Sequence, residues 1–212
     1  MTKLAVSIVN YNAGDYLINC LQSLDEVKNE VELKVYVVDN ASSDDSIESA
    51  KKKFPELTYI LNKENLGFGK AHNMALKKIK EEFILILNPD TKILAGTLKY
   101  MISFMEENPG VGAATCKILK ENGTIDWASH RGFPTPIAAA LYYLFNNDSL
   151  YHLTSRDMGK THEVDAIVGA FFLTRKSVLE KVGLFDEKFF MYGEDIDLCL
   201  RIKKIGLKVM YI

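Results

Sequence analysis

The sequence predicts an α/β fold, a mostly parallel sheet flanked by helices, and two observations carry this prediction. The first half of the 212-residue chain alternates four short apolar runs with four segments of helical periodicity. The runs are apolar at nearly every position, as in Phe83–Leu87, which indicates strands buried on both faces. Because the connections are short, we expect successive strands to run parallel, with one helix crossing between each pair.

Each element of the first half follows from its own local pattern. Apolar residues three and four positions apart mark the helices, and Asn108-Pro109-Gly110 ends the last of them. The expected strands are Leu4–Asn10, Leu33–Val38, Leu57–Leu61 and Phe83–Leu87. The expected helices are Tyr16–Leu24, a segment from about Asp44 to Phe54, Ala71–Ile79 and Thr97–Glu107.

The second half predicts a smaller, mixed or antiparallel portion of the same domain. Two strand-like segments flank Asn122-Gly123, which is the strongest short hairpin signal. The expected elements are strands Val111–Lys120 and Ile125–Ser129, a strand Val164–Thr174 interrupted at Gly169-Ala170, helices Ser177–Val182 and Glu194–Ile205, and a strand Leu207–Ile212. We predict one domain over residues 1–212, with halves 1–110 and 111–212. We expect the natural protein to continue beyond the last strand.

Composition excludes several classes of function. The net charge is −2 and the lysines are scattered among acidic residues, so no basic face for nucleic acid is expected. The three cysteines form no CxxC pair, which argues against a disulfide framework or a structural zinc site. We expect each of them to be buried. The N-terminus lacks the form of a signal peptide, so a cytoplasmic protein is predicted.

The apolar segment Ile137–Phe145 leaves three interpretations open. It is shorter than the roughly 20 apolar residues that span a bilayer. An apolar helix of this kind is most often part of the core. The alternatives are a lid on the acceptor side of a binding site and a contact with a membrane surface.

Polar residues follow all four strands of the first half. They include Asn10-Tyr11-Asn12, Asp39-Asn40 and Asn88-Pro89-Asp90. In open α/β sheets ligands bind outside the carboxyl ends of the strands, so these residues are candidates for a binding cleft. Capping of the next helix explains Ser43 and Asp44 but leaves Asp39 unexplained. The Gly67-Phe68-Gly69 stretch fits either a plain loop or a helix start that favours phosphate.

A second group of carboxylates opens the helix expected from Glu194. Acidic residues in a first turn suit the helix dipole, and that alone explains much of Glu194, Asp195 and Asp197. The preceding segment, Phe189–Tyr192, is apolar. A carboxylate beside such a segment should have a raised pKa, which suits a general base.

Taken in order, these motifs resemble the family 2 glycosyltransferases, inverting enzymes of the GT-A fold that use nucleotide sugars. The resemblance covers nearly the whole chain. The motifs are Val6–Asn12, Val37–Ser42, Asn65–Gly69, Leu87–Asp90, Gly169–Phe171 and Gly193–Leu198. The Asn-Pro-Asp form is similar to the branch that contains many bacterial rhamnosyltransferases of cell-surface polysaccharide synthesis.

The resemblance implies a role for each matching residue. Asp195 falls at the position of the catalytic base, with Glu194 beside it. Asp90 would bind Mg²⁺ or Mn²⁺, while Asn88 replaces the first acid of the metal motif. The residues implied in nucleotide-sugar binding are Asn10, Tyr11, Asp39, Asn40, Asn65, Gly67, Lys70, Asn88, Gly169 and Ala170. The first half would bind the donor and the second half the acceptor.

The implied partners are a UDP- or dTDP-sugar donor, with dTDP-rhamnose suggested by the branch, and a glycan or lipid-linked glycan acceptor. Peripheral association with the inner face of the membrane stays open, and the sequence does not indicate an oligomeric state. Two alternatives remain. One is a non-catalytic nucleotide- or glycan-binding domain. The other is a sugar-nucleotide pyrophosphorylase, disfavoured because the loop after the first strand lacks basic residues.

Overall fold

A computed structural model describes residues 3–145 and 147–212. The strands are β1 Lys3–Asn10, β2 Glu32–Asp39, β3 Thr58–Leu61, β4 Phe83–Leu87, β5 Val111–Thr115, β6 His130–Arg131, β7 His162–Val164, β8 Ala166–Ile167, β9 Phe171–Arg175 and β10 Lys208–Tyr211. The helices are α1 Asp15–Glu26, α2 Ser46–Lys53, α3 Phe68–Leu76, α4 Thr97–Glu107, α5 Pro136–Phe145, α6 Lys176–Val182 and α7 Glu194–Lys204, with a 3-10 helix at Trp127–Ser129.

The main sheet has eight strands in the order β3-β2-β1-β4-β9-β5-β10-β7. The first four strands are parallel, and their register places the end of β1, Asn10, beside the end of β2, Asp39. The expected parallel half is therefore confirmed. The expectation that every strand of this half is buried on both faces was too broad. Strand β3 lies at the sheet edge, and its residues are partly buried or exposed.

The second half inserts β9 antiparallel between β4 and β5, which makes the sheet mixed as expected. The predicted long hairpin around Asn122-Gly123 is wrong in extent. Pairing between its arms is limited to one bridge, Leu119 to Ile125, and the second arm becomes the 3-10 helix. The sheet contains only Val111–Thr115 of the first arm, which pairs with β10 on one side and with β9 at Ala113 and Ala114 on the other.

Helices on both faces of the sheet bury two apolar clusters. One cluster packs α1 and α4 against one face, and the other packs α3, α6 and α7 against the opposite face. Asn73 ties α3 to the segment before α7, since its amide donates to the Phe185 carbonyl (2.9 Å) and accepts from the Phe185 N–H (3.1 Å). Cys20 and Cys199 are buried as expected, whereas Cys116 is only partly buried.

Helix α5 does not join either core. Its side chains at Ile137, Tyr143, Leu144 and Phe145 are 69%, 81%, 75% and 72% exposed. The core interpretation of this segment is therefore wrong, because no other element covers these side chains in the described part of the chain. Across the described residues, every helix is too short or too polar to span a membrane.

Candidate active site

The ends of β1 and β2 are joined by a buried network around Asp39. The Asn10 amide donates to Asp39 Oδ1 (2.8 Å), and the Ser42 hydroxyl donates to the same oxygen (2.7 Å). The Ser42 backbone N–H donates to Asp39 Oδ2 (3.2 Å). Asn10 is fully buried and Asp39 is 5% exposed. Asp39 therefore fixes the loop after β2 through Ser42, and Asn10 holds the Asp39 carboxylate in place.

Asn12 locks the loop after β1 onto the loop after β2. Its Oδ1 accepts from the Ser43 N–H at 2.7 Å, and its own backbone N–H donates to the Ser42 hydroxyl at 2.9 Å. Asn12 has a positive φ of 53°, which asparagine tolerates better than most residues. Sequence reasoning assigned Ser43 to helix capping; it serves this inter-loop contact, while Asp44 accepts from the Ser46 N–H that opens α2.

The loop after β3 is held by Asn40. Its amide group donates to Asn65 Oδ1 (3.1 Å) and to the Gly67 carbonyl (3.0 Å), and its Oδ1 accepts from Asn62 (2.9 Å). Asn65 Oδ1 in turn accepts from the Gly67 N–H (2.9 Å). Asn40 is 2% exposed, so its described role is to fix this loop against the end of β2.

Glycine is required at Gly67 by the segment that leads into α7. Gly67 has φ 80°, and an added Cβ would lie 2.1 Å from the Phe190 carbonyl oxygen. That carbonyl accepts from the Phe68 N–H at 2.9 Å. A Cβ on Gly69 would reach Phe185, and it would lie 3.6 Å from the Cβ of Glu194. The helix start at α3 and the acidic start of α7 are therefore neighbours.

Gly169 and Ala170, which precede β9, contact the start of α3 and the turn after β4, respectively. A Cβ on Gly169 would lie 2.3 Å from Phe68 Cζ, so this glycine lets the α3 start pack closely. The Ala170 carbonyl accepts from the Asn88 N–H (3.4 Å) and the Thr91 hydroxyl (3.3 Å). These hydrogen bonds place Ala170 beside the Asn88-Pro89-Asp90 turn.

Asp90 projects from the carboxyl end of β4 as an exposed carboxylate. Asp90 forms no salt bridge within the described ranges. Burial, and secondarily the negative charge of Asp90, raises the pKa of the Cys20 thiol to about 12. The described hydrogen bond to the Asp90 carboxylate is a long one, from the Thr91 hydroxyl to Oδ1 at 3.5 Å. An exposed carboxylate without a salt bridge fits a hard cation such as Mg²⁺. No group of three metal-binding side chains occurs among the described residues, so phosphate oxygens and water would supply most ligands.

The three acidic residues in the first turn of α7 have two kinds of surroundings. Asp197 forms a salt bridge with Arg201, at 2.8 Å from Oδ2 to Nη2. Asp195 and Glu194 are buried, and burial raises the pKa of both carboxyls. Glu194 Oε2 has no hydrogen-bond partner in the described structure. The direction of the pKa shift is the expected one at both residues implied in catalysis, and its cause is burial. The side chains of the preceding segment, Phe189–Tyr192, are themselves exposed.

Arg131 on β6 is a residue that sequence reasoning missed. Its charge lowers the pKa of Asp195 and of Glu194, opposing the larger effect of burial. The β6–β8 pair places it there, because β8 packs against α7 and Arg131 pairs with Ala166. No local pattern marked this arginine, which lies in a segment without clear periodicity.

Two expected residues are peripheral in this arrangement. Tyr11 is 51% exposed beside the Asn10 network. Lys70 is exposed. Hydrogen bonds from Asn73 and Lys77 lower the pKa of Glu187, and the charge of Lys70 adds a smaller effect in the same direction. A hollow of about 490 Å³ opens nearby, lined by residues of the β1–α1 loop and of α1, Asn12 to Tyr16 and Asn19.

The described contacts form one continuous path between the two predicted centres of chemistry. It leads from the Asp90 turn to Ala170 and Gly169, then through Phe68 and Gly69 to Glu194 and Asp195. The exposed carboxylate of Asp90 and the buried carboxylate of Asp195 are thus connected through packed residues at the start of α3 and before β9.

Comparison with known proteins gives a consistent result. The sequence profile of glycosyl transferase family 2 matches residues 5–183. An N-acetylglucosaminyl-diphospho-decaprenol L-rhamnosyltransferase of Mycobacterium tuberculosis is 26% identical over 226 residues, covering 99% of this chain and 73% of the relative. Rhamnosyltransferase WbbL of Escherichia coli is 28% identical over 214 residues, covering 98% of this chain and 79% of the relative.

Solved structures agree on the fold. Staphylococcus aureus TarS 1-349 in complex with UDP superposes with a TM-score of 0.69 at 22% identity, over 100% of this chain and 58% of that chain. The mannosyltransferase PcManGT of Pyrobaculum calidifontis, in complex with GDP-Man and Mn²⁺, gives 0.63 at 19% identity, over 97% of this chain and 53% of that one. The chain thus spans less than two thirds of these neighbours, and the expected GT-A architecture is confirmed.

Proposed function

Because the chain belongs to glycosyl transferase family 2, we propose that it transfers a sugar, with inversion, from a nucleoside-diphosphate donor to an acceptor hydroxyl. The observation that carries this proposal is the burial of Asp195 at the start of α7, connected by packed residues to the strand ends where nucleotides bind in α/β folds.

Asp195 is the general base of the proposed reaction. Its carboxylate takes the proton of the acceptor hydroxyl as that oxygen forms a bond to the anomeric carbon. The bond from the anomeric carbon to the donor phosphate breaks, and its electron pair leaves with the nucleoside diphosphate. A carboxyl with a raised pKa binds the proton more strongly than an exposed one, which favours this step. Glu194, with its unpartnered oxygen, lies beside the reacting groups.

Asp90 would hold Mg²⁺ or Mn²⁺ together with the donor diphosphate. Such a cation, when bound, neutralises charge on the leaving diphosphate. Asn88 belongs to the turn that carries Asp90, and the Ala170 carbonyl accepts hydrogen bonds from this turn. Asn88, Gly169 and Ala170 would line the donor sugar. One acidic ligand in place of two predicts weak cation binding until the donor is present.

The donor base and ribose would occupy the edge formed by the loops after β1, β2 and β3. Tyr11 offers an exposed ring there for the base, and Asp39 a buried carboxylate held by Asn10. Asn40 and Asn65 act by fixing the loop that ends at Gly67. Lys70, on the first turn of α3, would supply a positive charge near the donor diphosphate.

The likeness to two rhamnosyltransferases supports a deoxyhexose donor such as dTDP-rhamnose, with UDP-sugars as the alternative. The same relatives support a glycan or lipid-linked glycan as the acceptor in cell-surface polysaccharide synthesis. Such an acceptor would place the protein at the cytoplasmic face of a membrane. The glycosyltransferase family match leaves a pyrophosphorylase without support.

A donor-hydrolysis screen tests the proposal. UDP-, dTDP- and GDP-sugars are offered with and without Mn²⁺, and release of nucleoside diphosphate is measured. We expect release from one nucleotide class, dependent on the cation and reduced at least a hundredfold by Asp90→Ala. Asp25→Ala is the matched control: it removes an exposed carboxylate on α1 that forms an ion pair with Lys28. Donor binding by calorimetry without turnover under any condition would instead indicate a non-catalytic binding domain.

A further inference from the structure

The segment Phe189–Tyr192, directly before α7, presents its side chains to solvent. Phe189, Phe190, Met191 and Tyr192 are 36%, 58%, 48% and 83% exposed. None of these four side chains belongs to either core cluster. Consecutive apolar side chains on the surface form a patch of the kind that marks an interaction site in a soluble protein. The segment therefore contributes a surface to the molecule and not a part of its core.

Tyr192 holds a strained backbone conformation within this patch. Its φ is 69°, in the left-handed region that a bulky aromatic residue rarely adopts. A glycine at this position would adopt the same backbone with little strain. Strained residues persist where the surrounding structure holds them, and they cluster at functional sites. The ring of Tyr192 is therefore a candidate for a function that its backbone conformation disfavours.

The backbone of the segment is fixed by its neighbours. The Phe190 carbonyl accepts from the Phe68 N–H at 2.9 Å, and the Phe189 N–H donates to the Asp186 carbonyl at 3.2 Å. A Cβ built on Gly193 would lie 3.1 Å from Phe189 Cε1, so this ring packs against the residue that precedes α7. These contacts hold the exposed side chains at a defined place on the surface.

That place lies between the proposed donor loop and the proposed base. On one side, a Cβ on Gly67, in the loop after β3, would lie 2.1 Å from the Phe190 carbonyl oxygen. On the other side, α7 begins two residues after Tyr192, and its second residue is the buried Asp195. An acceptor whose hydroxyl reaches Asp195, while a donor occupies the loops at the strand ends, would therefore contact this segment.

The extent of the patch fits one sugar ring better than a lipid chain or a bilayer. It spans four residues, with Lys188 directly before it and Glu194 two positions after it. A lipid chain would need a longer apolar surface free of charge. A pyranose has a face of C–H groups, which can stack on the electron-rich face of an aromatic ring. Its hydroxyls lie at the rim of the ring, where charged side chains can accept or donate hydrogen bonds.

From this arrangement we infer that Phe190, Met191 and Tyr192 form a stacking platform for the acceptor, with the Tyr192 ring against the C–H face of the pyranose whose hydroxyl is glycosylated. This inference rests on the proposed function and assigns residues to its acceptor. The proton of the hydroxyl passes to Asp195, and Tyr192 takes no part in that transfer. The platform acts on specificity, because the face on which the sugar stacks determines which hydroxyl meets the base.

Saturation-transfer NMR with methyl glycosides of glucose, galactose, mannose, rhamnose and N-acetylglucosamine tests the platform. UDP, dTDP and Mn²⁺ are present in excess, to keep the probe out of the donor site. We expect at least one glycoside to bind, with saturation concentrated on the protons of one ring face, such as H1, H3 and H5 of the β-glucoside. Tyr192→Ala should weaken binding about tenfold, and Tyr192→Phe, which keeps the ring, should retain it.

The control is Tyr100→Ala, which removes a tyrosine of α4 that is 61% exposed and should leave glycoside binding unchanged. Absence of binding by every glycoside, unchanged affinity in Tyr192→Ala, or saturation spread equally over both ring faces would overturn the inference. So would phosphatidylglycerol vesicles that bind through Tyr192 while the glycosides do not, because the patch would then be a membrane contact.

A second variant separates loss of the ring from loss of the fold. Tyr192→Gly removes the ring and relieves the strain at φ 69°. Its urea midpoint should be at least that of the wild type, while glycoside binding falls as in Tyr192→Ala. Tyr100→Gly should behave in the opposite way, because glycine within a helix lowers stability. A lowered midpoint in Tyr192→Gly would show that the ring supports folding, and the platform would be rejected.

The two proposals fail separately. Binding and hydrolysis of sugar nucleotides by the wild-type protein are measured in parallel. Absence of donor binding would remove the proposed function. Donor binding and hydrolysis without any effect of Tyr192→Ala on the glycosides would remove only the platform.

Discussion

At the scale of single residues, Asp195 and Asp197 show how two carboxylates in one helical turn acquire different chemistry. Asp197 faces Arg201 one turn further along α7 and forms a partly exposed ion pair. Asp195 points into the protein, where burial raises its pKa and Arg131 opposes that rise. The sequence places both in the first turn, and only their orientation separates a surface ion pair from a candidate base.

Asp195→Asn should reduce the transfer rate by about a hundredfold to ten thousandfold, because the amide cannot accept the proton of the acceptor hydroxyl. Donor affinity should change little, since the proposed donor contacts lie at the strand ends. Rates and donor KM are measured with the donor found in the screen. Asp197→Asn is the matched control: it removes a partly exposed ion pair in the same helical turn and should keep most of the activity. Equal losses in both variants would contradict the assignment of Asp195.

The pH dependence of the wild-type rate follows from the same carboxyl. Protonation of Asp195 removes the base, so the rate should fall on acidification, at a pH above the ordinary range of an aspartic acid because its pKa is raised. Arg131→Gln removes a charge that lowers this pKa, so the acid limb should move to higher pH. Rates of donor hydrolysis between pH 4 and pH 8 check this. A limb that stays in place or moves to lower pH would be inconsistent with the described electrostatics.

At the scale of elements, the site is assembled by close approach of backbones. The α3 start meets the Phe189–Tyr192 segment at Gly67, where the Phe190 carbonyl occupies the space of a side chain. The same helix start meets β9 at Gly169 through the Phe68 ring. These glycines allow three segments that are distant in sequence to share one side of the sheet.

Gly67→Ala should destabilise the protein by about 2–4 kcal/mol and lower transfer activity, because φ is 80° with ψ −179° and the new Cβ would collide with the Phe190 carbonyl. Gly96→Ala is the control. Gly96 also has positive φ, 81°, but nothing lies within 4 Å of its added Cβ. It should cost only about 1 kcal/mol and spare activity. Urea unfolding and turnover are compared, and equal effects would argue against the contact with Phe190.

At the scale of the whole molecule, two buried histidines couple the fold to pH. His72 on α3 contacts Ser7 through Nδ1 at 2.8 Å, while its Nε2 is buried without a partner. Burial lowers its pKa from 6.5 to about 3. His130 packs against the rings of His162 and Tyr211, and burial, then the charge of His162, lowers its pKa to about 4.

A depressed histidine pKa means that the unfolded chain binds the proton more readily than the folded protein. The contribution to stability is complete above pH 6.5 and is lost as the pH falls toward the folded-state values. We expect the free energy of unfolding to fall by about 1 kcal/mol per histidine for each pH unit below 6.5. Asp195 and Glu194 have raised pKa values and act in the opposite direction on acidification, because the folded protein takes up their protons more readily than the unfolded chain.

Urea unfolding at pH 6.5, 6.0, 5.5 and 5.0 measures this dependence. His72→Gln should be less stable than the wild type at pH 6.5, since it disturbs a packed site, but its stability should fall less steeply with acidification. A slope identical to that of the wild type would show that His72 is not the group that takes up the proton.

Local patterns in the sequence were sufficient to predict the alternating parallel half, the polar strand ends and the acidic start of α7. Strand periodicity and helix capping depend on neighbours in the chain, and the residues that carry them are contiguous. The order of the motifs was enough to indicate the family. Exposure of α5, by contrast, was left open among three interpretations, because an apolar helix has the same local pattern whether another element covers it or not.

Only the tertiary structure decided which polar residues meet. Asn40 fixes a loop more than twenty positions away, Phe190 meets Gly67, and Arg131 acts on Asp195 through the pairing of β6 with β8. These contacts depend on how long connections return to the sheet, which no local pattern specifies. The raised pKa of Asp195 likewise follows from burial, a property of the packed molecule. The sequence by itself determined the types of residue available for the chemistry, and packing determined their surroundings.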